Sequence, residues 1–185
     1  MYSSFRSDIL KLHSQSRLNH LEVPHALRGP SGEMLFTDYF FTAQKKPYCL
    51  VHLSGVHGVE GYLGSLIQQE ILRENLENLP FQLVIAHSVN PYGMATMKRT
   101  NAANVDLNRN SLADYNIQNP EFAAFNDFLR RGASSDFLKT IPSILRLGIE
   151  KTVRSVACGQ RDFPDSLFYC GPERQPELAA LKNSL

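Results

Sequence analysis

The 185-residue chain carries no excess of either charge: 19 lysines and arginines face 18 aspartates and glutamates, and no block of like charge occurs. That removes the electrostatic footprint expected of a nucleic-acid binder. It also has no apolar run long enough to span a bilayer, and its start, MYSSFRSDILKLHSQSR, lacks the apolar core of a signal peptide. Nucleic acid and membrane are therefore not expected partners. Cysteine is scarce: Cys49, Cys158 and Cys170 are odd in number, far apart and without a CxxC. This pattern fits free thiols in a reducing cytoplasm rather than a disulfide framework. With no internal repeat, low-complexity stretch or convincing linker, one domain over residues 1–185 is expected, long enough to bury a real core.

What is present reads as α/β. Phe5, Ile9, Leu10 and Leu12 recur at roughly helical spacing within residues 5–18. MLFTDYFFT (residues 34–42) is rich in aromatic and β-branched types and predicts a strand. YCLVHLS (48–54) and FQLVIAH (81–87) are short apolar runs typical of buried strands. Between them Leu63, Leu66, Ile67 and Ile71 predict a helix fading near 78–80. Strand, helix, strand is a crossover unit, so parallel pairing is expected. Asn90-Pro91-Tyr92-Gly93 reads as a turn. Further on, helices are expected from Asn119-Pro120 to Arg131, from about Ser135 with Pro142 limiting it, and over 176–185, with a long loop at 160–173.

Two stretches carry chemistry. The first is SGVHGVEGYLGS (54–65), with glycines at 55, 58, 61 and 64. A dinucleotide fingerprint needs G-x-G-x-x-G and an acidic residue ending the next strand; here every glycine gap is two residues, and that strand ends His87-Ser88-Val89-Asn90. No Gly-Lys-Ser/Thr follows either, so phosphate binding has no support. His57 and Glu60 instead stand three residues apart between a strand end and a helix start. Positions i and i+3 share a helix face, so an imidazole and a carboxylate can converge on one ion. Zinc accepts that mixture, and a catalytic site adds another protein ligand and a water. The alternative is that His57 is a polar loop residue. The second stretch, NPYGMATMKRTNAANVDLNRN (90–110), is dense in asparagine and arginine and reads as largely irregular, the kind of segment that is often functional. Arg99 and Arg109 offer fork-shaped donors suited to a carboxylate, and Asn108 adds an amide. A solvated loop with surface ion pairs is the competing reading.

Taken together, SGVHGVEG, then NPYG, a basic segment and NVDLNRN resemble the zinc carboxypeptidase superfamily. The similarity is nearest to a bacterial carboxypeptidase-like branch related to succinylglutamate desuccinylase and aspartoacylase. FPDSLFYCG (163–171) also looks like that branch, so the resemblance covers roughly residues 45–175. It implies a three-layer αβα fold on a mixed, largely parallel sheet, and a zinc-dependent hydrolase cleaving an amide bond next to a free carboxylate. By the same resemblance, His57 and Glu60 are the first two zinc ligands. Asp106 would hydrogen-bond the zinc histidine. Asn108 and Arg109 would hold the substrate's terminal carboxylate, and Arg99, with Lys98 beside it, would polarise the scissile carbonyl.

The chain departs from that pattern at two points. The family's third zinc ligand is a histidine after the NRN stretch, but His13, His20, His25, His52, His57 and His87 all precede it. His87 reads better as a core or supporting residue than as that ligand. The general-base glutamate has no recognisable counterpart among Glu121, Glu150, Glu173 and Glu177. These departures lead to the expectation of an N-terminal fragment of a longer enzyme, inactive or nearly so, with an exposed sheet edge that invites self-association. A non-catalytic carboxylate-binding module is the alternative.

Overall fold

The structure, a computed structural model, describes residues 1–76, 78–112, 114–115, 118–132, 142, 145 and 148–184. Its contacts group into two compact units, residues 1–103 with 175–185, and residues 104–174.

In the first unit helix α1 (Tyr2–His13) leads into strands β1 (Asn19–Arg28), β2 (Met34–Phe41) and β3 (Cys49–Leu53). Helix α2 (Gly61–Arg73), strand β4 (Gln82–His87) and the short helix α3 (Pro91–Thr96) follow. The strands form one mixed sheet in the order β1-β2-β4-β3. As the crossover pattern requires, β3 and β4 run parallel, Val51 opposite Val84. β1–β2 and β2–β4 are antiparallel. The sheet is therefore mixed rather than largely parallel, because only one crossover lies among the described strands. β1 is an unforeseen element. Its sequence, NHLEVPHALR, has no apolar alternation, and it forms as a mostly exposed ribbon against β2, with a register break between Pro24 and Arg28.

One face of the sheet is closed by α1 and α2, which pack Ile9 and Leu72 with Leu18, Phe40, Leu83 and Ile85 into a buried cluster. Next to it lies a buried charge. Arg6 on α1 donates from Nε and Nη2 to the Asp38 carboxylate at 2.7 and 2.9 Å, and His20 Nε2 lies 2.8 Å from the same group. The β3 run departs from expectation: Leu50, Val51 and Leu53 are exposed. Among the described residues β3 is an edge strand with β4 as its single neighbour, so a continuous apolar run here does not mean burial on both faces.

The second unit holds α4 (Leu107–Asn110), α5 (Glu121–Gly132) and α6 (Ile149–Ala157). The buried Phe122 ring meets Phe125, Phe163 and Phe168. Asn119 Nδ2 donates to the Ser155 and Gly159 carbonyls at 2.7 and 2.6 Å. The 160–173 segment is a loop, as expected, closed by a bridge between Gln160 and Tyr169. The helix expected from Ser135 lies mostly outside the described residues. A final helix, α7 (Pro176–Ser184), belongs to the first unit.

Candidate functional site

The site forms where β3 and β4 end side by side, the place at which α/β sheets present ligands. The two exits are stitched by backbone bonds: Val89 N–H donates to Ser54 O at 3.0 Å, and Asn90 N–H to Gly55 O at 2.7 Å. Gly55 has φ +70°, a turn that a side chain would strain, and a Cβ there would lie 3.1 Å from Ser88 Cα. Ser88 itself takes φ +59°, and its carbonyl accepts from Thr37 Oγ1 at 2.9 Å. A non-glycine residue in that region carries strain that its surroundings must hold. The Asn90-Pro91 pair starts α3 rather than a simple turn. Asn90 Oδ1 accepts from Gly93 N–H at 2.8 Å, and Pro91 occupies the first turn, where its missing N–H costs nothing. That cap signal was present in the sequence.

His57 and Glu60 follow on the loop between β3 and α2. Glu60 precedes α2 and makes no side-chain cap bond, leaving its carboxylate available to other groups near a helix N-terminus that favours negative charge. His57 Nδ1 lies 3.1 Å from Glu60 Oε2, with His57 mostly buried and Glu60 half exposed. On the other oxygen, Arg99 Nη1 donates to Glu60 Oε1 at 3.2 Å. Gly58 N–H donates to Arg99 O at 3.4 Å, tying the same two segments together. Three of the residues singled out in the sequence are thus brought into one cluster.

The donor pair can be tested against a zinc ion. Ligands about 2.0–2.1 Å from a tetrahedral ion stand about 3.3–3.4 Å from each other. The 3.1 Å between Nδ1 and Oε2 is close to that edge, so the pair fits two corners of a tetrahedron. Among the described residues, no group of three histidine, cysteine, aspartate or glutamate side chains is placed to hold a metal. The fit is that of half a site.

Behind the pair is a buried amide that sequence reasoning missed. Gln68 on α2 is fully buried. Its Oε1 accepts from Ser54 Oγ at 2.8 Å and lies 3.0 Å from His87 Nδ1, while its Nε2 donates to Ala86 O at 3.0 Å. One side chain thereby locks α2 to the last turns of both β3 and β4. Facing Oε1, the His87 Nδ1 carries the proton, and Nε2 is buried with no hydrogen-bond partner among the described residues. Burial pushes the His87 pKa down to about 4, with Asp38 raising it and Arg6 lowering it further. His87 is a neutral supporting residue, as its sequence context suggested.

In the second unit the structure places Asn108 and Arg109 on the short helix α4 and Asp106 at its N-cap. Asp106 is fully buried and caps α4, its Oδ1 accepting from Asn108 N–H at 3.0 Å. Arg109 Nε donates to Val156 O at 3.3 Å, and its guanidinium carbon sits 5.9 Å from the centre of the Phe168 ring. A cavity of about 710 Å³ opens at the other end of the first unit's sheet, between Leu12, Thr42, Leu72, Leu76 and Phe81. None of the candidate residues lines it.

Fold and site together define an α/β protein with a histidine–carboxylate pair at the C-terminal end of its parallel strands. Over residues 1–185 the chain matches the family described as Protein of unknown function (DUF2817), and it belongs to that family. No curated protein and no solved structure matches it.

Proposed function

We propose that the chain carries the metal-binding part of a zinc-dependent hydrolase of the carboxypeptidase and amidohydrolase type, which cleaves an amide bond next to a free carboxylate. The observation that carries this reading is the His57–Glu60 pair at 3.1 Å, placed at the end of β3 and flanked by Arg99. Zinc held there would activate a water and polarise the carbonyl. The chain's own residues supply the surroundings. Arg99 is a cation fixed beside the pair, suited to a developing oxyanion. Asn108 and Arg109 are assigned to the substrate's carboxylate, and Asp106 to orienting a zinc-ligating imidazole. The sequence likeness to zinc carboxypeptidases supports these assignments residue by residue. All six histidines are described, and only His57 belongs to the pair. Two protein ligands hold zinc poorly, so this chain alone binds it weakly and turns over little.

Equilibrium dialysis of the 185-residue chain against zinc, followed by metal analysis, tests the reading. Zinc uptake that falls at least about tenfold in His57→Ala and in Glu60→Gln is the expected result, since both ligand positions contribute to affinity. Zinc uptake unchanged by His57→Ala would overturn it. The pair of donors, short of three, also favours a second reading: a carboxylate-binding module without turnover. It predicts binding of small N-acyl amino acids that Arg109→Ala abolishes, and hydrolysis of such a compound by the chain would refute it.

A further inference from the structure

We infer that Glu177 is a positioning residue: through Asn101 it anchors the segment that carries Arg99, and Arg99 in turn holds the Glu60 carboxylate with Oε2 facing His57. The consequence for zinc rests on the function proposed above, while the placement of Arg99 does not. Glu177 is a carboxylate that the proposed chemistry leaves unused, and it is buried together with Asn101 and Gln175. The Asn101 Nδ2 group donates to Gln175 Oε1 at 2.9 Å and to the two Glu177 oxygens at 3.3 and 3.4 Å. Asn101 Oδ1 accepts from Ala103 N–H at 3.1 Å, which fixes the direction of the amide. On the other side of the carboxylate, His25 Nδ1 accepts from Leu27 N–H at 3.1 Å. The His25 proton therefore sits on Nε2, which donates to Glu177 Oε1 at 3.5 Å. Burial by itself would raise the Glu177 pKa, yet the bonds from His25, the backbone and Asn101 hold it below the usual carboxylate range. A carboxylate taken up in this way suits an anchor and not a base.

The anchored segment is short and pinned on both sides of Arg99. Met97 leaves α3 with φ +56°, and Lys98 N–H donates to Gly93 O at 2.9 Å. Arg99 O accepts from Gly58 N–H at 3.4 Å, and two residues on Asn101 meets Glu177. The chain leaves the first unit after Ala103 and rejoins it at Gln175, so the Asn101–Gln175 bond closes those two ends on each other.

This anchoring matters because the contact it serves is weak by itself. Arg99 Nη1 and Glu60 Oε1 are 3.2 Å apart, with side chains 40 % and 58 % exposed. An ion pair that open gains little in water and costs side-chain freedom, so backbone placement decides whether it persists. With Oε1 held by Arg99, Oε2 is the oxygen that stands 3.1 Å from His57 Nδ1.

The test combines amide hydrogen exchange of the zinc-free chain with zinc binding by equilibrium dialysis. In Glu177→Ala the Gly58 and Lys98 amides should exchange at least about tenfold faster, while the Leu83 and Ile85 amides of β4 keep their native rates. Glu177→Gln keeps the oxygen shared by Asn101 and His25 and should restore native exchange. Asn101→Ser, too short to reach the anchor, should behave as Glu177→Ala does and serves if that variant fails to fold. Zinc affinity should fall by about 3–10-fold in Glu177→Ala, less than the roughly 10–100-fold cost of losing a direct partner of a ligand. Added to Arg99→Ala, Glu177→Ala should cause no further loss, because it acts through Arg99. Unchanged Gly58 and Lys98 exchange in a folded Glu177→Ala or Asn101→Ser chain would overturn the proposal. So would failure of Glu177→Gln to restore it, or zinc losses of Glu177→Ala and Arg99→Ala that add in full. Zinc uptake indifferent to His57→Ala would instead sink the zinc reading, and exchange alone then decides the anchoring of Arg99.

Discussion

A single methyl group on Gly58 tests how tightly the candidate site is built. A Cβ at this position would lie 2.0 Å from Gly93 C, 2.3 Å from Met94 N and 2.4 Å from Gly93 O, all backbone atoms of α3. Contacts under 3.0 Å are essentially never seen for real Cβ atoms. The loop and α3 must therefore part by about 1 Å or more, against a stitch that includes Asn90 N–H to Gly55 O at 2.7 Å and Gly58 N–H to Arg99 O at 3.4 Å. Gly58 is not among the glycines with positive φ, so the penalty is one of packing and not of backbone conformation. Overpacking costs about 1–3 kcal/mol, and a clash with backbone belongs at the upper end. Stiffening the unfolded chain returns about 0.4–1 kcal/mol, which leaves a net loss of about 2 kcal/mol. Urea unfolding of Gly58→Ala measures this directly. The proper comparison is Gly32→Ala, where φ is +79° and a Cβ meets nothing within 4 Å. That variant should lose only the backbone strain, about 1–2 kcal/mol less the same unfolded-state gain. Zinc uptake should fall in Gly58→Ala and stay unchanged in Gly32→Ala. If Gly58→Ala proves as stable as Gly32→Ala, the close approach of loop and helix is not what holds the site.

Two further perturbations address the supports of the first unit. Arg6→Met leaves the fully buried Asp38 carboxylate without its two-pronged partner, and stability should drop by roughly 3–5 kcal/mol in urea unfolding; a loss below about 1 kcal/mol would refute a structural role for that pair. His87 predicts a pH dependence. Its pKa falls from 6.5 to about 4 on folding, so between those values the unfolded chain holds a proton that the folded chain refuses. This contribution to stability is complete above pH 6.5 and is lost as the pH falls toward 4, by at most about 3 kcal/mol. His87→Asn should flatten the fall measured by urea unfolding across that window, and an identical pH profile would show that another group is responsible.

Much of the local structure was legible because it rests on short-range rules. The aromatic run at 34–42 became β2, the crossover pattern became a parallel β3–β4 pair around α2, and Asn119-Pro120 opened α5. What escaped has a physical reason in each case. β1 lacks alternation and exists through its pairing with β2. The helix at Ile149–Ala157 went unmarked although it is amphipathic. Gln68 looked like an ordinary polar residue of a helix, and its role needs Ser54, Ala86 and His87, which lie far away in sequence.

The sequence by itself determined the α/β character, the parallel unit and the presence of a histidine and a carboxylate at helical spacing, since these depend on local periodicity and on residue chemistry. Tertiary structure alone decided that Arg99 reaches Glu60 from 39 positions away, that Gln68 clamps both strands beneath the loop, and that β3 stands at an edge of the sheet the described residues form. An apolar strand has the same sequence whether its second neighbour is a strand or water. Only the order of strands in the sheet distinguishes the two.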